Sequence, residues 1–88
     1  LRTTKEPTMQ LIVTFDTAGF DAWKADYDAH SEARDNAGLT MMQMWRDADD
    51  GNRAVVLFEV SDRKRAARWV KEQTALKGGI SALFLRTA

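Results

Sequence analysis

Near the middle of the chain, Ala48-Asp49-Asp50-Gly51-Asn52-Arg53 sets the dipeptides Asp-Gly and Gly-Asn between two runs of β-forming residues, Thr40 to Asp47 and Ala54 to Val60. This is a dense turn signal, so the two runs are expected to pair as neighbouring antiparallel strands of a β-hairpin. The constraint on the fold comes from what each arm is joined to. Upstream, Met9 to Asp16 alternates, with Leu11, Val13 and Phe15 on one face and Gln10, Ile12, Thr14 and Asp16 on the other. Phe20 to Gly38 then reads as one helix, opened at Thr17 or Gly19, with Asp21 in its first turn and Gly38 as its left-handed stop. Downstream, Ser61 is placed as an N-cap for a second helix through Leu76 or Lys77, Gly78-Gly79 stops it, and Ile80 to Arg86 makes a fourth strand.

The order is β-α-β-β-α-β, an α+β arrangement of ferredoxin-like type. Two right-handed β-α-β crossovers dictate a four-stranded antiparallel sheet running fourth, first, third, second strand, with both helices on one face. Matching like with like across the hairpin sets Met44 opposite Val56, Met42 opposite Phe58 and Gln43 opposite Leu57. The other face has no helix to cover it, yet Ile12, Met41, Trp45, Val55 and Leu57 point there. An apolar patch of that size exceeds the few hundred Å² usual on a monomer, so a homodimer closed through this face is expected.

A domain of 88 residues has a thin core, which association would help. The absence of Cys excludes disulfides, a thiolate nucleophile and a thiolate metal site, and a single His argues against a dedicated transition-metal centre. No apolar run reaches the roughly 18–20 residues of a membrane span, and no signal segment opens the chain, so a soluble cytoplasmic protein with no membrane partner is expected. Leu1 to Thr8 reads as a disordered tail, native or left over from expression, ahead of one domain over residues 9–88. Net charge is zero but uneven: residues 1–47 hold five Lys/Arg against eight Asp/Glu, and residues 48–88 hold eight against five. With both signs in one small domain, an acidic helix beside a basic one explains the split better than a nucleic-acid surface, and none is expected.

Chemistry concentrates on the first helix. Asp26, His30 and Arg34 stand four residues apart on its packed side, together with Trp23 and Tyr27. That spacing lets Asp26 orient and charge-stabilise the imidazole, with His30 as general acid or base and Arg34 as a fixed cation for an oxyanion. Trp23, Tyr27, Met42, Met44 and Phe58 are the expected lining of a substrate pocket between this helix and the sheet. The same residues have a plainer reading. His30 can be a half-buried structural residue bonded to Asp26 or the sheet, Arg34 a helix-end cap, and the methionines core and interface filling.

These residues resemble the dimeric α+β barrel proteins, in particular short single-domain members related to antibiotic-biosynthesis monooxygenases and small polyketide-cyclase-like proteins. The likeness covers about Met9 to Arg86. It rests on Phe20-x-x-Trp23 after the first strand, the Asp28-x-His30-x-x-x-Arg34-x-x-x-Gly38 run, the Arg46-Asp47-x-Asp49-Asp50-x-Asn52-Arg53 hairpin and Ser61-Asp62-x-x-x-Ala66. It implies two sheets joined face to face in a homodimer, and a pocket in each protomer for a small aromatic or polyketide-type molecule. A cofactor-free oxygenase or cyclase-like enzyme is one expectation, and a non-catalytic binding protein of the same fold the other. The haem-degrading relatives take their iron ligand from a His of the second helix; Ser61 to Leu76 has none, so no cofactor is expected. The quinone-forming relatives use Asn, Trp and Tyr elsewhere in the chain, whereas the only Tyr here is Tyr27, so that chemistry does not carry over residue by residue.

Overall fold

A computed structural model describes residues 9–88, and the tail expected over residues 1–8 lies outside the described residues. The elements are β1 (Met9–Asp16), α1 (Phe20–Ala29), α2 (Ser31–Asn36), β2 (Leu39–Arg46), β3 (Arg53–Val60), α3 (Arg63–Lys77) and β4 (Ile80–Arg86). The sheet runs β2-β3-β1-β4 with every neighbouring pair antiparallel, as the two crossovers require. β1 therefore has a ladder on both edges, and its alternation decides the core. Leu11 pairs with Phe58 and Phe84, Val13 with Val56 and Ala82, and Phe15 with Ala54 and Ile80. Leu11, Val13, Val56 and Phe58 are fully buried, each stabilising the fold by about 1.5–3 kcal/mol through apolar area removed from water.

Four local expectations are corrected. The helix from Phe20 to Gly38 is two helices, because His30 leaves the helical region at φ −113° and ψ 29°. Its ring Nδ1 donates to the Asp26 carbonyl at 2.7 Å, the carbonyl its own backbone N–H would otherwise take, and that N–H bonds the Tyr27 carbonyl instead. A side chain inserted into the i→i−4 ladder is a sufficient cause of a break. In β2 the pairing of Gln43 with Leu57 and Met44 with Val56 holds, but a β-bulge between Met41 and Gln43 puts Met41, not Met42, opposite Phe58. An extra residue in one strand shifts the register beyond it by one.

At the start of α3, Asp62 rather than Ser61 is the N-cap, its Oδ1 accepting the Arg65 N–H at 3.1 Å. Ser61 instead ties the helix to the first half of the chain, its N–H and Oγ both donating to the Gly38 carbonyl at 2.9 and 3.2 Å. Gly38 has φ +75°, and a Cβ there would stand 2.9 Å from Ser61 Oγ, so glycine is required both by conformation and by space. On α3, where helical spacing puts Ala66, Ala67, Trp69, Val70 and Leu76 on the expected packed arc, Ala66 and Trp69 are buried but Ala67 and Leu76 are exposed. The open face of the sheet carries Ile12 between Leu57 and Leu83 in one register row, with Val55 beside Trp45 in the next. Trp45 and Leu83 are among the most exposed large apolar side chains.

Candidate functional site

α1 packs through one narrow stripe, Phe20, Trp23 and Tyr27, spaced at helical i, i+3 and i+7. Trp23 sits in the middle of an aromatic chain, 4.9 Å from Phe15, 5.7 Å from Phe20 and 5.2 Å from Tyr27, centroid to centroid. Across the sheet, Trp69 of α3 lies edge-on to Phe58 at 5.8 Å. These bulky rings hold α1 and α3 apart, and the space left between them is a cleft with two chambers.

The inner chamber, about 210 Å³, is walled by Phe15, Trp23, Tyr27 and Trp69 and carries Asp26, His30, Arg34 and Lys77 as its charged or titratable groups. Thus the structure brings together five of the predicted site residues: Trp23, Asp26, Tyr27, His30 and Arg34. It does not bring the other three to the cleft. Phe58 is fully buried beneath Trp69, Met44 is packed against the core, and Met42 sits at the bulge of the edge strand, exposed. Five lining residues were not in the predicted set, namely Phe15, Trp69, Gln73, Leu76 and Lys77. The first two were legible as packed-face aromatics. Lys77 was not, because its role depends on where the end of α3 falls relative to α1.

Geometry assigns the groups different tasks. His30 Nδ1 faces a carbonyl, which can only accept, so Nδ1 carries the hydrogen and the neutral ring keeps its lone pair on Nε2. Its side chain is 62% exposed, more than the half-buried residue of the plainer reading, but its bond to Asp26 and the bond of Arg34 to a last-turn carbonyl of α1 are the contacts that reading expected. The Asp26 carboxylate does not orient it as the spacing suggested. Its Oδ1 is 3.5 Å from Nδ1, while Oδ2 is bonded to Lys77 Nζ at 2.5 Å. That ammonium holds the Asp26 carboxyl below the usual carboxylate range. Among the described residues this is the one ion pair joining α1 or α2 to α3, so the acidic-to-basic complement reduces to a single contact.

Arg34 is a buried cation, 8% exposed, with no carboxylate within salt-bridge distance among the described residues. Its guanidinium stacks 3.4 Å from the Tyr27 ring centroid, and Nη1 donates to the Tyr27 carbonyl at 2.6 Å. Tyr27 is buried beneath it, and its hydroxyl has no hydrogen-bond partner among the described residues. Burial pushes the phenol up from its ordinary value, and the Arg34 guanidinium opposes that shift. A cation in a low-dielectric wall without an anion is a group that a bound anion would complete.

The outer chamber, about 320 Å³, shares Phe15, Trp23, Asp26 and Lys77 with the inner one and is otherwise lined by Ala18, Gly19, Ala22, Gly78 and Ile80 among others. No described helix is long and apolar enough to cross a membrane.

A four-stranded antiparallel sheet in this order, with its helices in the crossovers, defines a ferredoxin-like α+β protein. Among solved structures the chain is similar to the "Putative antibiotic biosynthesis monooxygenase from Nitrosomonas europaea", at 15% identity and a TM-score of 0.53, over 97% of this chain and 95% of that one. At that identity the likeness carries the fold. No family model and no curated protein matches the chain.

Proposed function

We propose that the protein binds a compact aromatic molecule bearing an acidic oxygen in the cleft, and acts on it as a cofactor-free oxygenase or cyclase-like enzyme. The observation that carries this reading is the pairing of a free His30 Nε2 with a buried, carboxylate-free Arg34 on the walls of one aromatic chamber. His30 Nε2 takes the proton of a phenolic or enolic O–H, and the oxyanion left behind is stabilised by Arg34. An electron-rich enolate or phenolate is the form that reacts with O₂ unaided or closes onto a carbonyl in the same molecule. Asp26 acts through its carbonyl, which fixes the tautomer, rather than through its carboxylate. The working unit in this reading is a homodimer closed through the apolar open face around Ile12, Leu57, Trp45 and Leu83.

Oxygen uptake with a panel of one- and two-ring phenols tests the enzyme reading. His30→Ala should lower turnover at least about 10²-fold in a protein that remains folded, and His30→Gln should not restore it. Full activity in folded His30→Ala would remove His30 as the base. The second reading, a binding protein without turnover, is favoured by one observation. The inner chamber of about 210 Å³ is smaller than the roughly 300 Å³ where typical ligand sites begin. Saturable binding of phenols with no oxygen uptake and no product would decide for it.

A further inference from the structure

The two chambers meet at four residues, Phe15, Trp23, Asp26 and Lys77. Phe15 and Trp23, their rings tilted by 48° with centroids 4.9 Å apart, form an aromatic wall common to both. Asp26 from the middle of α1 and Lys77, the last residue of α3, are joined by their ion pair. Either side of this bar the surroundings differ in kind. The inner chamber holds Arg34 and His30, whereas the outer one is mostly small and apolar, with Ala18, Gly19, Ala22 and Ile80, and has Asp16 and Thr17 as its own polar groups.

We infer that the Asp26–Lys77 ion pair sets ligand length in this cleft: closed, it confines an aromatic anion to the inner chamber, and without it the two chambers form one trough for fused-ring acids. The inference rests on the proposed binding of an acidic aromatic at Arg34 and adds the residues that limit its size. The bar is suited to such a role because both side chains are more than two-fifths exposed, so solvent competes for each partner. Behind it, Gly78 takes φ +67°, and a Cβ there would meet no atom within 4 Å. Sequence reading alone could not have joined these partners, which are 51 residues apart.

Salicylate and 3-hydroxy-2-naphthoate make a matched pair, since they share the ortho carboxylate and hydroxyl and differ by one fused ring. Affinities of the full chain for both, measured by calorimetry, give a discrimination ratio that cancels general changes in charge. Asp26→Asn and Lys77→Met should each shift this ratio toward the naphthoate by about tenfold, the scale on which small changes in apolar pocket size discriminate ligands. Lys77→Arg, which keeps the bridge, should keep the wild-type ratio. Adding Ala22→Phe to Lys77→Met should cancel the gain for the naphthoate while salicylate affinity stays within about twofold, since Ala22 lines the outer chamber alone. If salicylate binds and the ratio is the same in all variants, the bar has no part in selection and this inference is overturned, while the binding site stands. If neither acid binds wild type or any variant, the cleft is not an acid-binding site and both readings fall together.

Discussion

The guanidinium of Arg34 lies 3.4 Å from the centroid of the Tyr27 ring and donates to that residue's own carbonyl at 2.6 Å, although seven positions separate them. This contact holds α2 against α1 across the break at His30. Replacing Arg34 by Met removes the stacked cation and the bond to Tyr27, and should destabilise the fold by about 2 kcal/mol. Lys at this position retains charge without the planar fork, and should cost about 1 kcal/mol. Urea unfolding of the two variants measures both values; a loss below the fitting error in Arg34→Met would mean the contact is incidental.

Tyr27 is the only Tyr in the chain, so the rise in absorbance near 295 nm on ionisation reports it alone. Because burial raises its pKa, the midpoint should lie above the ordinary value of about 10 in the folded protein. The sign for stability follows from proton binding. Below about pH 10 both states hold the proton and the contribution is fully present. As pH rises past that point the unfolded chain ionises first, and stability is lost up to the folded pKa. Tyr27→Phe should lose that part of the alkaline decline, and a folded-state midpoint at or below 10 would contradict the burial.

Strand content and sheet order were legible because the strands are runs of β-forming residues bounded by glycine and turn signals, and two right-handed crossovers around one hairpin leave a single arrangement. The inward face of β1 followed from its alternation. The site was legible only in part. Trp23, Asp26, Tyr27, His30 and Arg34 do meet at one chamber, but not on one helical stripe, since the His30 ring takes the carbonyl that helix continuity needs. Pattern counting cannot register a single side-chain bond of that sort. Met42 was misplaced by one bulge residue, and Phe58 was assigned to the lining because β3 lies under the helices, whereas Trp69 covers it. The Lys77 partner of Asp26 is set by the length of α3, which sequence fixes only to within a residue or two.

Gly38 makes a sharper stability test than any other glycine. Ala there must hold φ +75° and push Ser61 Oγ away from a 2.9 Å approach. A loss of about 1–2 kcal/mol from the left-handed backbone alone is expected, and more once the contact is added. Thermal unfolding of Gly38→Ala would show it as a lowered midpoint; an unchanged midpoint would mean that Gly38 and Ser61 do not make this close contact.

Dimerisation is tested by mass. At micromolar concentration the wild-type chain should sediment at twice the protomer mass, and Leu57→Arg on the open face should give a folded monomer, because an unpaired charge cannot be buried there without several kcal/mol of desolvation. A wild-type monomer that is fully folded would remove the reason for covering Ile12, Trp45 and Leu83.

Binding of an acidic aromatic in the cleft is read directly from the response of the three tryptophan indole N–H signals to salicylate in a two-dimensional ¹H–¹⁵N NMR titration. Trp23 and Trp69 line the inner chamber, while Trp45 lies on the open face of the sheet, so the chain carries its own control. Saturable shifts of the Trp23 and Trp69 signals with Trp45 unmoved, weakened at least about tenfold in a folded Arg34→Met protein, are the predicted result. Shifts centred on Trp45, or none at millimolar salicylate, would contradict an acid-binding cleft between the helices and the sheet.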